Sequence, residues 1–297
     1  MPIDNSLPDH PKLINFKTGE KPNTEYVNGL DSIKVRILNA PTISDLENYI
    51  AEFASGTWTD RPGKQFTKEE KEKAVDDLFK GYILPTALES IKITFIIEGM
   101  DISDVMHLIR HRTMGFSASG SGDRDMRFDR VVLKPSMIDS KYEEKIKEHT
   151  DGLIKIYAEM LDDPDIPILD PRVILPRNTE HYYYVTADLK AIFAFIKQRK
   201  DQSIEPESFN LVALKLWLEI VKLYPKLKDS IDFNEPDNFA IQTSIGNRSS
   251  NFYMPEEKND VYNYKESWFC RGLRSEMRGG DQYISIRDSI LKEIDEL

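Results

Sequence analysis

One segment constrains the fold more than any other, because residues 206–227 have the pattern of a long helix that is apolar on nearly every side. A helix without a polar face is buried in the core of a large protein or spans a membrane. No stretch of this chain approaches the ~20 uninterrupted apolar residues of a membrane span. We therefore expect this helix to lie in the core of a globular protein, with Pro225 ending or kinking it.

The remaining periodic segments indicate both strands and helices. Apolar runs typical of strands occur at residues 32–38, 91–97 and 180–186. The helical period occurs at residues 44–53, 67–82, 103–109, 141–161, 187–200 and 284–297. We expect an α+β fold in which a mixed or antiparallel sheet is packed by several long helices.

Two polar segments and the two ends of the chain complete the predicted organisation. Residues 55–60 have the composition of a turn, and residues 113–125 are rich in Gly and Ser, as in a loop that approaches a ligand closely. We divide the chain into an irregular N-terminal arm (1–29), a main domain (30–227) and a C-terminal extension (228–297). That extension is predicted to be loop-like until its last helix.

Composition excludes several classes of protein. The net charge of -11 argues against a general nucleic-acid binder, which needs a basic face to neutralise phosphates. The only cysteine, Cys270, excludes an intramolecular disulfide and a Cys-rich metal site, and we predict no metal site. Residues 1–22 lack the apolar core of a signal peptide. We expect a cytoplasmic protein that binds neither a membrane nor nucleic acid.

The densest group of charged residues is the triplet Arg110-His111-Arg112, at the end of the helix predicted at residues 103–109. Guanidinium groups bind planar oxyanions through paired N–H donors, so this triplet is a candidate phosphate site. The alternative is a solvated basic patch at a helix C-terminus, where cations complement the helix dipole. The following segment adds further candidates: Ser117, Ser119, Ser121, Gly122, Arg124 and Arg127.

Two more basic groups occur later in the chain. Arg172 and Arg177 flank an apolar, strand-like segment bounded by prolines, and Arg199 lies among charged residues at a predicted helix end. Each has a purely structural interpretation. Arg172 can pair with a carboxylate, and the residues around Arg199 can form a solvated helix terminus.

Taken together, these three groups resemble the flavin-dependent thymidylate synthase family. Its signature is an Arg-His-Arg triplet followed by a serine, a glycine and an arginine, and preceded by a strand like residues 89–95. The resemblance covers roughly residues 30–227. Residues 172–199 match the family without a gap, including Leu175, Pro176, Asn178, Tyr182, Tyr183, Tyr184, Thr186 and Arg199.

Several positions depart from the family pattern. A strand histidine that the family uses at the flavin ring appears as Ser90, and a glutamine before the triplet appears as His107. An asparagine and an arginine of a later helix appear as Asp188 and Lys190. The resemblance therefore implies that nucleotide recognition is kept more securely than flavin handling.

Two loop regions also differ from the family. The segment after the triplet carries extra residues, so either Ser119 or Ser121 matches the signature serine, and either Arg124 or Arg127 matches the arginine after it. The tripeptide at residues 55–57 lies where the family has a short element near the flavin.

The resemblance implies methylation of dUMP at C5 to give dTMP, with FAD as cofactor, methylenetetrahydrofolate as carbon donor and NADPH as reductant. It also implies a homotetramer with flavin sites shared between subunits. Catalysis is assigned to Arg199 at the pyrimidine carbonyl, with Ser119 and Ser121. Nucleotide binding is assigned to His107, Ser119, Ser121, Gly122, Arg124, Arg127, Arg172 and Arg199. Flavin contacts are assigned to Ser55, Thr57, Ser90, Arg110, His111, Arg112, Asp188 and Lys190.

The resemblance leaves Cys270 unexplained. As a small apolar group, Cys270 can simply be buried. Alternatively, its aromatic and basic neighbours can fold over the nucleotide and present it as a nucleophile.

Other functions stay open beside dUMP methylation. A divergent member of the family could transfer a one-carbon unit differently, for example by hydroxymethylation of dUMP or dCMP. The chain could also be a non-catalytic nucleotide- or flavin-binding protein. A nucleic-acid-modifying enzyme is disfavoured by the acidic balance.

Overall fold

The computed structural model describes residues 18–58, 66–79, 85–120, 125–200, 207–233 and 280–297. Its strands are β1 (Glu25–Asn28), β2 (Lys34–Asn39), β3 (Lys92–Asp101), β4 (Gly115–Ala118), β5 (Arg130–Leu133) and β6 (Glu180–Asp188). Its α-helices are α1 (Ile43–Trp58), α2 (Lys68–Phe79), α3 (Ile102–Leu108), α4 (Glu143–Asp162), α5 (Leu189–Arg199), α6 (Glu207–Leu223) and α7 (Gly280–Glu296).

The strands form one antiparallel sheet and one parallel pair. The sheet has the order β2-β3-β6-β4, and β1 pairs with β5 in parallel. One face of the sheet, which includes Phe95 and Val185, is buried under the helices. On the opposite face, Tyr184 is 44% exposed. The α+β prediction is confirmed.

Helix α6 lies in the core as its composition predicts. Phe209, Trp217 and Ile220 have no exposed surface, and the Trp217 ring packs against Phe193 with 5.4 Å between ring centroids. Burying each large apolar side chain stabilises the fold by roughly 1.5–3 kcal/mol. The helix ends at Leu223, and Pro225 begins a 3₁₀ helix, because proline cannot donate the next helical hydrogen bond. Within the described ranges, no helix is both long and apolar enough to cross a membrane.

The structure corrects several predicted boundaries. The N-terminal segment is not irregular throughout, since residues 25–28 form β1 against β5. The turn predicted at residues 55–60 is wrong at its start, because α1 continues through Trp58. Part of the predicted loop at 113–125 is strand β4, which pairs with β6. The strand-like segment after Asp170 is a 3₁₀ helix, Pro171–Ile174, which Pro171 favours by its fixed φ.

Helix termini also differ by a few residues from the sequence pattern. Helix α3 begins at Ile102, because Asp101 caps it by accepting a hydrogen bond from the backbone N of Asp104 at 2.9 Å. The last helix begins at Gly280 rather than at residue 284. Capping geometry decides where α3 begins, whereas hydrophobic periodicity reports only the helix interior.

Helix α7 packs on the main core. Tyr283, Ile290 and Ile294 are buried in that core. The Gln282 side chain donates to Asp31 and pairs with the side chain of Asn28 at 3.0 Å. The division of the chain into arm, main domain and extension remains a proposal, in which the extension packs on the main domain through this helix.

Gly99 is required where β3 passes the turn before β2. Its φ is +84°, and a Cβ atom there would lie 2.0 Å from the carbonyl oxygen of Ser32. We expect Gly99→Ala to lower the free energy of unfolding by about 3 kcal/mol or more, measured by urea denaturation.

The matched control is Gly152→Ala, in the interior of α4. A Cβ atom at Gly152 meets nothing within 4 Å, so this variant should stabilise the protein by about 0.5–1 kcal/mol. Equal effects of the two substitutions would contradict the close approach at Gly99.

Candidate active site

The centre of the site is the guanidinium of Arg199, at the last residue of α5. Arg199 is 4% exposed. Its Nε donates to Nε2 of His111 at 2.8 Å, and its Nη2 donates to the carbonyl oxygen of His107 at 3.3 Å. The guanidinium also lies over the ring of Phe209, 5.1 Å from its centroid. These contacts bring together three of the residues singled out in the sequence.

A tight turn after α3 directs His111 inward. The backbone N of Arg110 donates to His107, and that of His111 donates to Leu108 at 3.1 Å. The chain then turns again, because the backbone N of Met114 donates to His111 at 3.0 Å. His111 therefore points toward α5, while its two neighbours in sequence, Arg110 and Arg112, are exposed. The triplet lies just beyond the helix rather than in its last turn.

His111 is held in its neutral form. Burial of its imidazole and the nearby charge of Arg199 lower the pKa of His111 to about 4. Because Nε2 accepts the hydrogen bond from Arg199, the proton of the neutral ring is assigned to Nδ1. The ring also packs edge-on against Phe195, with 4.9 Å between centroids. At neutral pH the site thus combines a positively charged guanidinium with an uncharged imidazole.

Arg110 and Arg112 offer a donor set for an anionic cofactor or substrate. Their side chains are exposed on either side of the inward-pointing His111. Guanidinium groups keep their charge and bind phosphate or carbonyl oxygens through two parallel donors. This chemistry fits the phosphates or the ring carbonyls of a flavin nucleotide.

Ser119 directly follows β4, an edge strand of the antiparallel sheet. It is 8% exposed, and its Oγ accepts from the backbone N of Tyr182 at 3.1 Å. The same Oγ lies 3.3 Å from Nδ1 of His181. The structure therefore places Ser119 in contact with β6, next to the aromatic run.

Ser90, Asp188 and Lys190 all have local structural partners. Ser90 donates from Oγ to the carbonyl of Ala87 at 2.7 Å. Asp188 caps α5 by accepting from the backbone N of Ala191 at 2.8 Å, and its other oxygen lies 3.1 Å from Nζ of Lys92. Lys190 pairs with Glu89. The predicted flavin contacts at these positions are thus residues already engaged at the start of β3 and α5.

Arg127 and Arg172 have opposite environments. Arg127 has no exposed surface, and its guanidinium is bound by the carboxylate of Asp125, with Nη2 to Oδ2 at 2.7 Å. The assignment of Arg127 to nucleotide binding stays a prediction, and the structure shows that its charge is already balanced by Asp125 inside the protein. Arg172 is exposed, and its guanidinium forms no hydrogen bond or ion pair within the part of the chain that the structure describes.

Other predicted site residues cannot be placed. Ser121, Gly122, Arg124 and Cys270 lie outside the described residues. Ser55 and Thr57 are in the last turns of α1, where only the backbone is described. Among the described side chains, no group of His, Cys, Asp or Glu could hold a metal ion.

Sequence reasoning missed the aromatic walls of the site. Phe209 contacts both Arg199 and His107, whose ring centroid lies 5.8 Å from that of Phe209. Phe195 supports His111, and Asn210 donates to the backbone carbonyl of Arg199. Phe195 lies one helical turn before Arg199, so its spacing was an available signal. Phe209 and Asn210 lie in an apolar helix and have no such signal.

The structure thus presents an α+β fold with a candidate anion site at a buried arginine, and the comparisons identify the family. A family model described as thymidylate synthase complementing protein matches residues 42–226, more than half of the chain. The chain belongs to this family, the flavin-dependent thymidylate synthases, and the resemblance in its sequence is confirmed.

A solved structure supports the fold. The UMP/dUMP methylase PolB from Streptomyces cacaoi, bound with 5-Br dUMP, is 17% identical and has a TM-score of 0.53, over 68% of this chain and 94% of PolB. ThyX from Helicobacter pylori, complexed with FAD and dUMP, is 12% identical with a TM-score of 0.49, over 63% of this chain and 93% of ThyX. A search of curated proteins gave no match.

Proposed function

We propose that this protein binds FAD and methylates dUMP at C5 to give dTMP, using methylenetetrahydrofolate as carbon donor and NADPH as reductant. The observation that carries the proposal is the buried Arg199, held by the neutral His111 of the family's Arg-His-Arg triplet. Membership of the family supports the reaction class.

Arg199 is proposed to stabilise negative charge that develops on the pyrimidine carbonyl. Its guanidinium is fixed by His111 and by the carbonyl of His107, so it needs no reorganisation when the charge appears. Protonation of His111 would remove the lone pair that accepts from Nε. The lowered pKa of His111 therefore preserves this arrangement at neutral pH.

Arg110 and Arg112 are proposed to hold FAD, with their exposed guanidinium groups on its phosphates or ring carbonyls. When bound, FAD supplies the transfer of reducing equivalents from NADPH. Arg172, Ser119 and the Gly- and Ser-rich sequence that follows Ser119 are proposed to bind the nucleotide phosphate. The exposed position of Arg172 supports this role.

A second candidate is a one-carbon transfer to dUMP or dCMP that ends in a hydroxymethyl group. The observation that favours it is the structural use of Ser90, Asp188 and Lys190, positions where the family is expected to handle flavin. Loss of flavin binding altogether would favour a non-catalytic nucleotide-binding protein.

We also propose a homotetramer in the cytoplasm. The outer face of the sheet supports an assembly, because Tyr184 is 44% exposed there. Large apolar and aromatic groups on an open sheet face are typical of surfaces that another subunit covers.

The test is the absorbance spectrum of the purified protein with FAD, titrated with dUMP and then with dCMP. A bound-flavin spectrum that dUMP perturbs supports the proposed reaction, and formation of dTMP with methylenetetrahydrofolate and NADPH completes it. A larger response to dCMP favours the second candidate. Absence of flavin binding would overturn the redox mechanism.

A matched pair of variants links the test to the site. Arg112→Gln should weaken FAD binding by roughly tenfold, because a charge-assisted contact contributes about 1.5–3 kcal/mol before solvent screening. The control is Lys197→Gln, which removes a positive charge from the last turn of α5. Equal affinities of the two variants would remove Arg112 from the flavin site.

A further inference from the structure

A second polar cluster lies at the other end of α3 from the triplet. Nζ of Lys134, the residue after β5, lies 3.1 Å from Oδ2 of Asp101 and 2.6 Å from Oδ2 of Asp104. Both aspartates are buried, with 2% and 4% exposure. None of these residues was singled out in the sequence, and the proposed reaction does not use them.

The cluster fixes the start of α3. Asp101 caps the helix through its Oδ1, while its Oδ2 and Asp104 receive the Lys134 ammonium. Lys134 thereby ties the first turn of α3 to the end of β5. Burial raises the pKa of the Asp104 carboxyl, and the nearby charge of Lys134 opposes this shift. The Lys134 ammonium therefore favours the ionised form of the buried Asp104 carboxylate.

Helix α3 is short, and its far end supports Arg199. It spans only Ile102–Leu108, about 10 Å at 1.5 Å per residue. The His107 carbonyl and His111 are at that end, and both accept hydrogen bonds from Arg199. A short rigid helix transmits a displacement of its first turn to its last.

The same junction holds the chain that follows Arg172. The backbone N of Ile102 donates to Arg177 at 3.0 Å, and that of Val132 donates to Asn178 at 2.7 Å. Lys134 therefore lies where α3, β5 and this segment meet. Two proposed nucleotide contacts, Arg199 and Arg172, are supported by elements that join here.

We propose that Lys134 is a positioning residue, which holds α3 so that His107 and His111 meet the guanidinium of Arg199. Its catalytic consequence rests on the proposed function, whereas its effect on His111 does not. Lys134 does not contact the proposed substrate; it acts through α3.

The test uses Lys134→Met in the full chain, with two readouts. Turnover of dUMP should fall roughly 10–100-fold in kcat, as for a displacement of catalytic groups by less than about 1 Å. In NMR titration, the pKa of His111 should rise from about 4 toward the ordinary histidine value, because the displaced ring is less buried and lies farther from the charge of Arg199. Lys134→Arg should restore both readouts.

The control is Lys147→Met, which also removes a lysine between two carboxylates. Lys147 lies 2.7 Å from Glu143 and 3.4 Å from Glu144, on α4. The Lys147→Met variant should change neither kcat nor the pKa of His111. Should Lys134→Met fail to fold, Asp104→Asn decides the question, since it leaves the cap and one ion pair in place and should shift His111 in the same direction.

The two proposals can fail separately. If the wild-type protein does not convert dUMP, the proposed function fails while the His111 titration still tests positioning. Folded Lys134→Met or Asp104→Asn protein in which His111 titrates as in the wild type would overturn the positioning role. So would a His111 shift of equal size in the Lys147→Met control.

Discussion

Arg199→Ala is expected to lower kcat/KM for dUMP by roughly 10²–10³-fold, the loss that follows removal of one preorganised donor from an enzyme site. The reason is geometric, since the guanidinium is buried and oriented by His111 and the His107 carbonyl before any ligand arrives. The measurement is steady-state formation of dTMP, together with dUMP affinity by calorimetry. The loss should fall mainly on kcat, because the charge that Arg199 stabilises develops in the transition state.

Two variants separate charge from geometry. Arg199→Lys keeps the charge but cannot donate to His111 and His107 through a rigid fork, so it should recover only part of the activity. Lys197→Ala removes a cation two residues earlier in α5 and should leave kcat unchanged. Arg199→Ala protein with wild-type turnover and a native fold would eliminate the central assignment.

Elements with a strong hydrophobic period were predictable from the sequence. The apolar helix at 206–227, the long helix before residue 162 and the strand at 180–186 all occur within a few residues of their predicted bounds. Each of these elements buries one face or its whole surface, and that burial determines where apolar residues occur along its sequence. Strands β1, β4 and β5 were missed, because four residues are too few to establish a period and their pairing partners are distant in sequence.

The site was predictable only where residues share a local cluster. His111 and Arg199 were singled out separately, but their contact spans 88 positions and depends on how α3 and α5 pack. Phe209 was indistinguishable from the apolar core residues around it. The local sequence shows which functional side chains are present, and tertiary packing determines which of them come into contact.

Arg127 is a second case in which the local sequence does not reveal a tertiary contact. The resemblance assigned it to nucleotide binding, because either Arg124 or Arg127 matches the arginine of the family signature. The structure instead buries it in an ion pair with Asp125, supported by the carbonyl of Glu20 at 2.9 Å. Nothing in the local pattern distinguishes a buried arginine from one that faces a ligand.

Asp125→Ala is expected to produce the largest loss of stability, about 3–5 kcal/mol, because it leaves a buried guanidinium without its main carboxylate. Arg127 donates to Asp125 from Nε at 2.9 Å and from Nη2 at 2.7 Å, whereas Asp162 is 3.9 Å away. Urea denaturation measures the loss. The control Asp77→Ala breaks the pair with the exposed Lys73 and should cost less than about 1 kcal/mol.

The double variant Asp125→Leu/Arg127→Met decides whether Arg127 anchors the chain or also serves a ligand. Removing both charges should restore much of the stability lost in Asp125→Ala, since no unpaired buried charge remains. If Arg127 is only an anchor, the refolded double variant should bind dUMP within about twofold of wild type. A selective loss of dUMP affinity at recovered stability would return Arg127 to the nucleotide site, and would mean that the ion pair opens when the ligand binds.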